Sequence, residues 1–227
     1  THMKEYDKYN SLVTFQAETD LLAFLEQDHP FREFTQEVSK FRTWSREINY
    51  TKRKVIMLGL YEAHCETINK ELIRRADSLT NKCLAKITSL NLEANKHICS
   101  EYDAIAQKAL TQPNNTAHLV ELKAFVEKAE KDAVPRLEQS VHEARIRLDF
   151  LLENVTLPAA EIQVNADTFM WPNNIGGIFE EHRKIIRTSR EKAEESLRER
   201  RIKFTEEMEA LQHQLVDFKE YGNVEDT

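Results

Sequence analysis

Leu60–Gln112, LYEAHCETINKELIRRADSLTNKCLAKITSLNLEANKHICSEYDAIAQKALTQ, runs for fifty-three residues without a glycine or a proline. Apolar side chains recur in it every three or four positions, at Ile68, Leu72, Ala76, Leu79, Cys83, Ile87, Leu90, Ala94, Ile98, Tyr102, Ile105 and Ala109. That spacing keeps one stripe on one face of an α-helix. About 45 residues of helix at 1.5 Å each reach roughly 70 Å, far beyond an average globular helix. The stretch predicts a strut whose greasy side needs partners.

Toward the N-terminus, Leu12, Phe15, Leu22 and Leu25 suggest a first helix that stops at Asp28-His29-Pro30. Proline fits a helix start, where its missing N–H has no partner to lose. A second helix is therefore expected from Pro30, with Phe31, Phe34, Val38, Phe41, Trp44 and Ile48 on a single buried stripe. Between Asn49 and Leu60 the periodicity fails. Lys52-Arg53-Lys54 is followed by the apolar run Val55–Leu58 and Gly59, which is open between an extended connection and a helix start.

Toward the C-terminus, Gln112-Pro113-Asn114-Asn115 is a turn signal, with Asn115 or Thr116 placed to cap the next helix. The chain is expected to reverse there. Leu119, Leu122, Val126, Ala129, Ala133, Leu137, Val141, Ala144, Leu148, Leu151 and Val155 then keep a helical stripe. Pro135 lies inside it and predicts a kink or break near Asp132 to Val134. Thr156–Gly177 contains Pro158, Pro172 and Gly176-Gly177, and reads as a hinge or connection over 158–177, anchored by Phe169, Met170 and Trp171. A last helix is expected over 178–227. Leu197, Phe204, Leu211 and Phe218 recur there every seven residues, with Met208 and Leu215 between them, as in a coiled-coil seam. Gly222 reads as its stop. Thr1-His2-Met3 reads as a cloning remnant and 4–157 as a helical bundle.

Composition agrees with an all-α protein built from elongated bundles of long antiparallel helices, packed like spectrin or a coiled coil. Four glycines and five prolines in 227 residues leave a sheet protein short of corners. Hydrophobic residues at 41% are too many for a disordered chain. A net charge of -7 argues against nucleic acid, because phosphate binding needs a surplus of clustered Lys and Arg. Nothing reaches eighteen consecutive apolar residues, so no membrane partner is expected. Cys65, Cys83 and Cys99 lack paired spacing and suit free thiols in the cytoplasm. The glycosylation patterns at Asn49, Asn114 and Asn154 read as chance matches.

Chemistry is sparse. None of the glycines stands in a phosphate-cradling Gly-Lys-Ser/Thr context. Cys65 and Cys83, five turns apart on a helix, lie too far from each other to share a metal. Glu180-Glu181-His182-Arg183-Lys184 gathers acids, an imidazole and bases, but consecutive helical residues point different ways, and the segment reads as a solvated first turn. No catalytic, cofactor-binding or metal residue is assigned, and no cofactor is expected. The segment is not an enzyme on this reading.

A family resemblance adds what periodicity does not reach. Asp167-Thr168-Phe169-Met170-Trp171-Pro172 leading into Ile178–Ile186, then Phe204–Glu209 and Leu215-Val216-Asp217-Phe218, resemble the N-terminal tail, or stem, of an axonemal dynein heavy chain just before its linker domain. Asp28-His29-Pro30-Phe31, Trp44–Ile48, Gln112-Pro113 and Leu119–Lys123 are similar to the helical bundle that precedes it. The resemblance implies a non-catalytic tail segment that transmits force and supports docking, with the ATPase ring and the microtubule-binding stalk lying C-terminal to it. It implies neighbouring bundles of the same heavy chain, light or intermediate chains and docking proteins as partners, and the ciliary axoneme as location. The subtype leans toward single-headed inner-arm forms. The competing reading is a spectrin-like adaptor that binds partners without a motor.

Overall fold

A computed structural model describes residues 6–58 and 60–221, leaving out the side chains of 58 and 218–221. The expectations for Thr1–Met3, for a stop at Gly222 and for the seam position Phe218 lie outside the described residues. After a short 3-10 turn at Asp7–Tyr9 come α1 (Asn10–Val13), α2 (Gln16–Leu25), α3 (Phe31–Thr51), the strands β1 (Val55–Leu58) and β2 (Tyr61–His64), α4 (Glu66–Ala109), α5 (Thr116–Lys128), a π-helical turn (Ala129–Ala133), α6 (Val134–Asn154) and α7 (Ala159–Tyr221). The protein is an all-α bundle of long helices with one small hairpin among the described residues. Two compact units divide it, one made of Thr1–Cys99 with Gln139–Phe169 and the other of Ser100–Glu138 with Met170–Thr227.

In the first unit the stripe of α3 does what its spacing demands. Phe34, Val38, Phe41 and Ile48 are buried, and Phe31 and Trp44 pack against the same core. Leu72, Ala76, Leu79, Cys83 and Ile87 of α4 and Leu151 of α6 complete it. Full burial of each large apolar side chain contributes roughly 1.5–3 kcal/mol, so the cluster is the main source of stability in this unit. Pro30 ends up as the N-cap of α3 rather than inside its first turn, with ψ near 145°. The opening helix differs from the reading of the sequence. It breaks at Phe15, which adopts a left-handed φ of 61° and is exposed, as is Leu22, while Ala17 and Leu21 take the buried places. Arg75 holds this break. Its guanidinium donates to the carbonyls of Leu12 and Val13 and sits 3.9 Å from the Phe15 ring centroid.

Between α3 and α4 the apolar run becomes an antiparallel hairpin in which Ile56 opposes Ala63. The glycine-free run therefore begins as strand, and its helix starts at Glu66 rather than near Leu60. The β-branched residues Val55 and Ile56 favour the extended form, and Ile56 is buried.

In the second unit the expected reversal occurs. Asn115 caps α5 by accepting from the His118 amide at 2.8 Å, and Lys108 meets both Glu121 and the Phe125 ring. Pro135 produces a π-turn instead of an open break. Lacking an N–H and crowding the preceding turn, it is accommodated by widening the helix just before it, where the Val134 amide reaches back to the Ala129 carbonyl. Within each unit α4 and α7 run parallel. Partners rise together from Asn95–Asn165 to Cys99–Thr168 in the first unit, and from Tyr102–Trp171 to Ala109–His182 in the second. The intervening α5 and α6 run the opposite way, as Glu101–Arg136 and Lys108–Glu121 show in the second unit.

The connection expected over 158–177 is corrected. Beyond Pro158, which lies just ahead of α7, these residues are helical, and α7 passes through Pro172 and both glycines over 63 residues. Asn165, Thr168, Trp171, Ile175, Phe179 and His182 continue a buried or half-buried stripe at steps of three and four. Three of them are polar, so the stripe faded in an apolar count. Burial along this face outweighs the roughly 3 kcal/mol cost of an interior proline and about 1 kcal/mol per glycine.

Gly176 and Gly177 are exposed, and a Cβ at either would meet nothing within 4 Å. Each Gly→Ala change is expected to stabilise the protein by about 1 kcal/mol, raising the melting temperature by roughly 2–4 °C in a scanning calorimeter. Destabilisation by either substitution contradicts a helical backbone at these positions.

Candidate docking surface

No residue was assigned to chemistry from the sequence, and the structure shows how the candidate groups are occupied. His182, read as part of a solvated first turn, lies some six turns into α7 and is 3% exposed. Its Nδ1–H donates to the Ala109 carbonyl at 2.7 Å, in the tautomer that this acceptor requires. Ala109 is the last residue of α4, so its carbonyl has no helical partner of its own. The imidazole is a buried helix cap. Glu180 and Glu181 remain exposed, Arg183 pairs with Glu130, and Lys184 with Glu181 at 3.2 Å.

The first unit holds a second polar group that sequence reasoning missed. Asn91 and Asn95 of α4 are buried, and both donate to Oδ1 of buried Asn165 on α7, at 3.2 and 2.8 Å. Asn165 in turn donates to the Glu161 carbonyl at 2.7 Å, and Arg147 of α6 donates to Asn91 Oδ1 at 3.3 Å. Burial pushes the Arg147 guanidinium below its ordinary pKa, while Glu143 opposes the shift. One turn further, Cys99 and Thr168 meet at 3.3 Å. Asparagines at stripe positions carry the signal in the sequence, and apolar periodicity does not include them.

The cysteines are free thiols. Cys83 is fully buried, and that burial pushes its pKa up to about 11, with Glu37 adding and Lys40 opposing. Cys65 donates to the Ala63 carbonyl at the base of the hairpin. Among the described residues no three His, Cys, Asp or Glu side chains converge as a metal site would need. A cleft lined by Phe15, Glu18 and Arg75 offers no unpaired charge for catalysis, since Glu18 pairs with Lys82, and Arg75 with Glu71. Trp171 stacks flat on buried Tyr102, with centroids 5.3 Å apart and planes at 2°, so it is committed to packing. Burial, then the nearby Glu138, raises the Tyr102 phenol to about 12.

Among the described residues the seam positions of α7 are uncovered. All side chains from Leu197 to Asp217 are exposed, including Phe204 at 63%, Leu211 at 53% and Leu215 at 63%. The seven-residue spacing puts Leu197, Phe204, Met208, Leu211 and Leu215 on one face, flanked by Arg198, Arg200 and Lys203 and then by Glu206, Glu207 and Glu209. Large apolar side chains repeated on an exposed helix mark a surface that is covered in an assembly. The spacing suits the packing of a partner helix.

The same chain aligns along almost all of its length with proteins of one kind. It is 29% identical over 225 residues to dynein axonemal heavy chain 12 of Homo sapiens and 28% identical to that of Rattus norvegicus, in each case over 99% of the chain. To dynein axonemal heavy chain 3 of Mus musculus it is 26% identical over 96% of the chain. The chain is homologous to a segment of axonemal dynein heavy chains. It spans only 5–7% of the length of these dynein relatives. No protein-family model matches it.

Two measurements check the buried groups. His182→Leu leaves the Ala109 carbonyl buried without a donor, and about 1–3 kcal/mol of stability is expected to be lost in urea unfolding, with His182→Gln losing less. Under native alkylation followed by peptide mass spectrometry, Cys83 is expected to react last of the three cysteines, and only at the rate of unfolding. Fast labelling of Cys83 contradicts its place in the core.

Proposed function

We propose that this chain is a non-catalytic tail segment of an axonemal dynein heavy chain, lying before the linker domain, and that it carries force by packing against neighbouring helical bundles of the same heavy chain. The uncovered seam of α7 carries this reading, because five large apolar residues at heptad spacing call for a partner helix. Homology along nearly the whole chain to axonemal dynein heavy chains supports it, as do the long packed helices. The adaptor without a motor finds no support in those relatives. On this reading the ATPase and microtubule-binding parts belong to other regions of the heavy chain, the location is the ciliary axoneme within the cytoskeleton, and light or intermediate chains and docking proteins join on the remaining surface. Among the described residues, no helix is long and apolar enough to cross a membrane.

Limited trypsin digestion tests it. Arg198, Arg200, Arg201 and Lys203 are exposed in this chain and are expected to be cut early. In a longer heavy chain that includes the flanking bundles, the same bonds are expected to survive at least roughly tenfold longer, because cleavage follows the population of the open form. Equal cutting in both proteins overturns the proposal.

A further inference from the structure

The β1–β2 hairpin interrupts the run of helices between α3 and α4. Two strands alone are marginal in water, and three or more, or a helix to pack on, are needed for independent stability. Here one face only is buried. Ile56 is buried, while Val55 and Met57 on the opposite face are exposed. The base is tied down by three hydrogen bonds: the Cys65 amide to the Lys54 carbonyl at 2.7 Å, Asn69 Nδ2 to the Arg53 carbonyl at 3.3 Å, and the Tyr6 hydroxyl to Asn69 Oδ1 at 2.9 Å. Among the described residues, Val55, Met57, Glu62 and His64 leave the outer face of this short sheet exposed.

The register says which backbone groups are left over. Lys54 and Cys65 form a hydrogen-bonded pair, and the antiparallel ladder alternates, so Ile56–Ala63 is the next such pair. Val55 and Met57 therefore direct their N–H and C=O groups away from β2, along the outer edge of β1. Glu62 and His64 do the same along the outer edge of β2. Among the described residues no third strand pairs with either edge, and an open edge of this kind is a template for a further strand.

Charge separates the two edges. β1 is entered through Lys52-Arg53-Lys54, the densest basic run in a chain of net charge -7. Lys52 lies over the rings of Tyr6 and Tyr9, at 5.6 and 5.4 Å. Arg53 and Lys54 are exposed, and among the described residues neither forms an ion pair. The β2 edge instead presents the Glu62 carboxylate, with His64 3.8 Å from it. An acidic strand is drawn to the first edge and repelled from the second.

We propose that the outer edge of β1 takes a third strand supplied by an acidic, extended segment of a partner protein. The backbone of Val55 and Met57 provides the ladder, their side chains provide an apolar face for alternate residues of the incoming strand, and Arg53 and Lys54 select for acid. This surface is separate from the α7 seam, and it stands or falls independently of the tail assignment.

The probe is a blocked peptide of alternating valine and glutamate, titrated into the isotopically labelled whole chain and followed by amide NMR. The Val55 and Met57 amides are expected to move downfield and gain exchange protection, with Glu62 and His64 unchanged. Arg53→Gln with Lys54→Gln is expected to weaken binding roughly tenfold, as is raising salt to about 1 M, since exposed charge pairs are screened there. Retained Ile56–Ala63 cross-strand contacts show that the variant keeps its hairpin. On the unaltered protein, a peptide with lysine in place of glutamate is expected to leave the spectrum unchanged. The proposal is overturned by the absence of shifts with the acidic peptide, by shifts confined to the β2 edge or to other elements, or by equal binding of the two peptides.

Discussion

A buried polar group in the middle of a helical core must find its partner at one register and no other, and that constraint organises both units of this protein. Asn165 accepts from Asn91 and Asn95 in the first, and His182 satisfies the terminal carbonyl of α4 in the second. Apolar stripes alone tolerate sliding by a turn, because one leucine fills another's place at modest cost. Sliding α7 by one turn strands an amide or an imidazole at a cost of about 1–3 kcal/mol each. The apolar core supplies most of the stability, and the polar contacts specify the alignment.

The same residues explain what could be read from the sequence. The α3 stripe, the α4 stripe from Leu72 onward, the reversal at Pro113 and the seam of α7 were legible because apolar periodicity and turn chemistry are local signals. The break at Phe15 was not legible, because it depends on Arg75, sixty residues away in sequence. The helix across Pro172 and Gly176-Gly177 was hidden for a related reason. Local propensity there favours a break, and the face that overrides it is built from Asn165, Thr168 and His182, which an apolar count discards. The hairpin was half legible: the apolar run after Lys54 stood out, but choosing strand over helix required the anchor that Asn69 provides.

His182, Cys83 and Trp171 were the side chains with most catalytic or binding potential, and each is committed to the interior. The surface that remains is helical, charged and, along α7, lined with leucine, methionine and phenylalanine. Such a surface suits one segment of a much larger assembly, which agrees with homology to proteins many times the length of this chain.

Amide hydrogen exchange across residues 170–180 tests the central claim most directly, because a polar-specified helix and a hinge differ there by orders of magnitude in protection. The account predicts slow exchange through Trp171, Ile175 and Phe179, comparable to that of Asn95–Tyr102, with loss of protection at both when Asn165 is replaced by leucine. Exchange at the rate of an unstructured loop between Pro172 and Ile178 would contradict it.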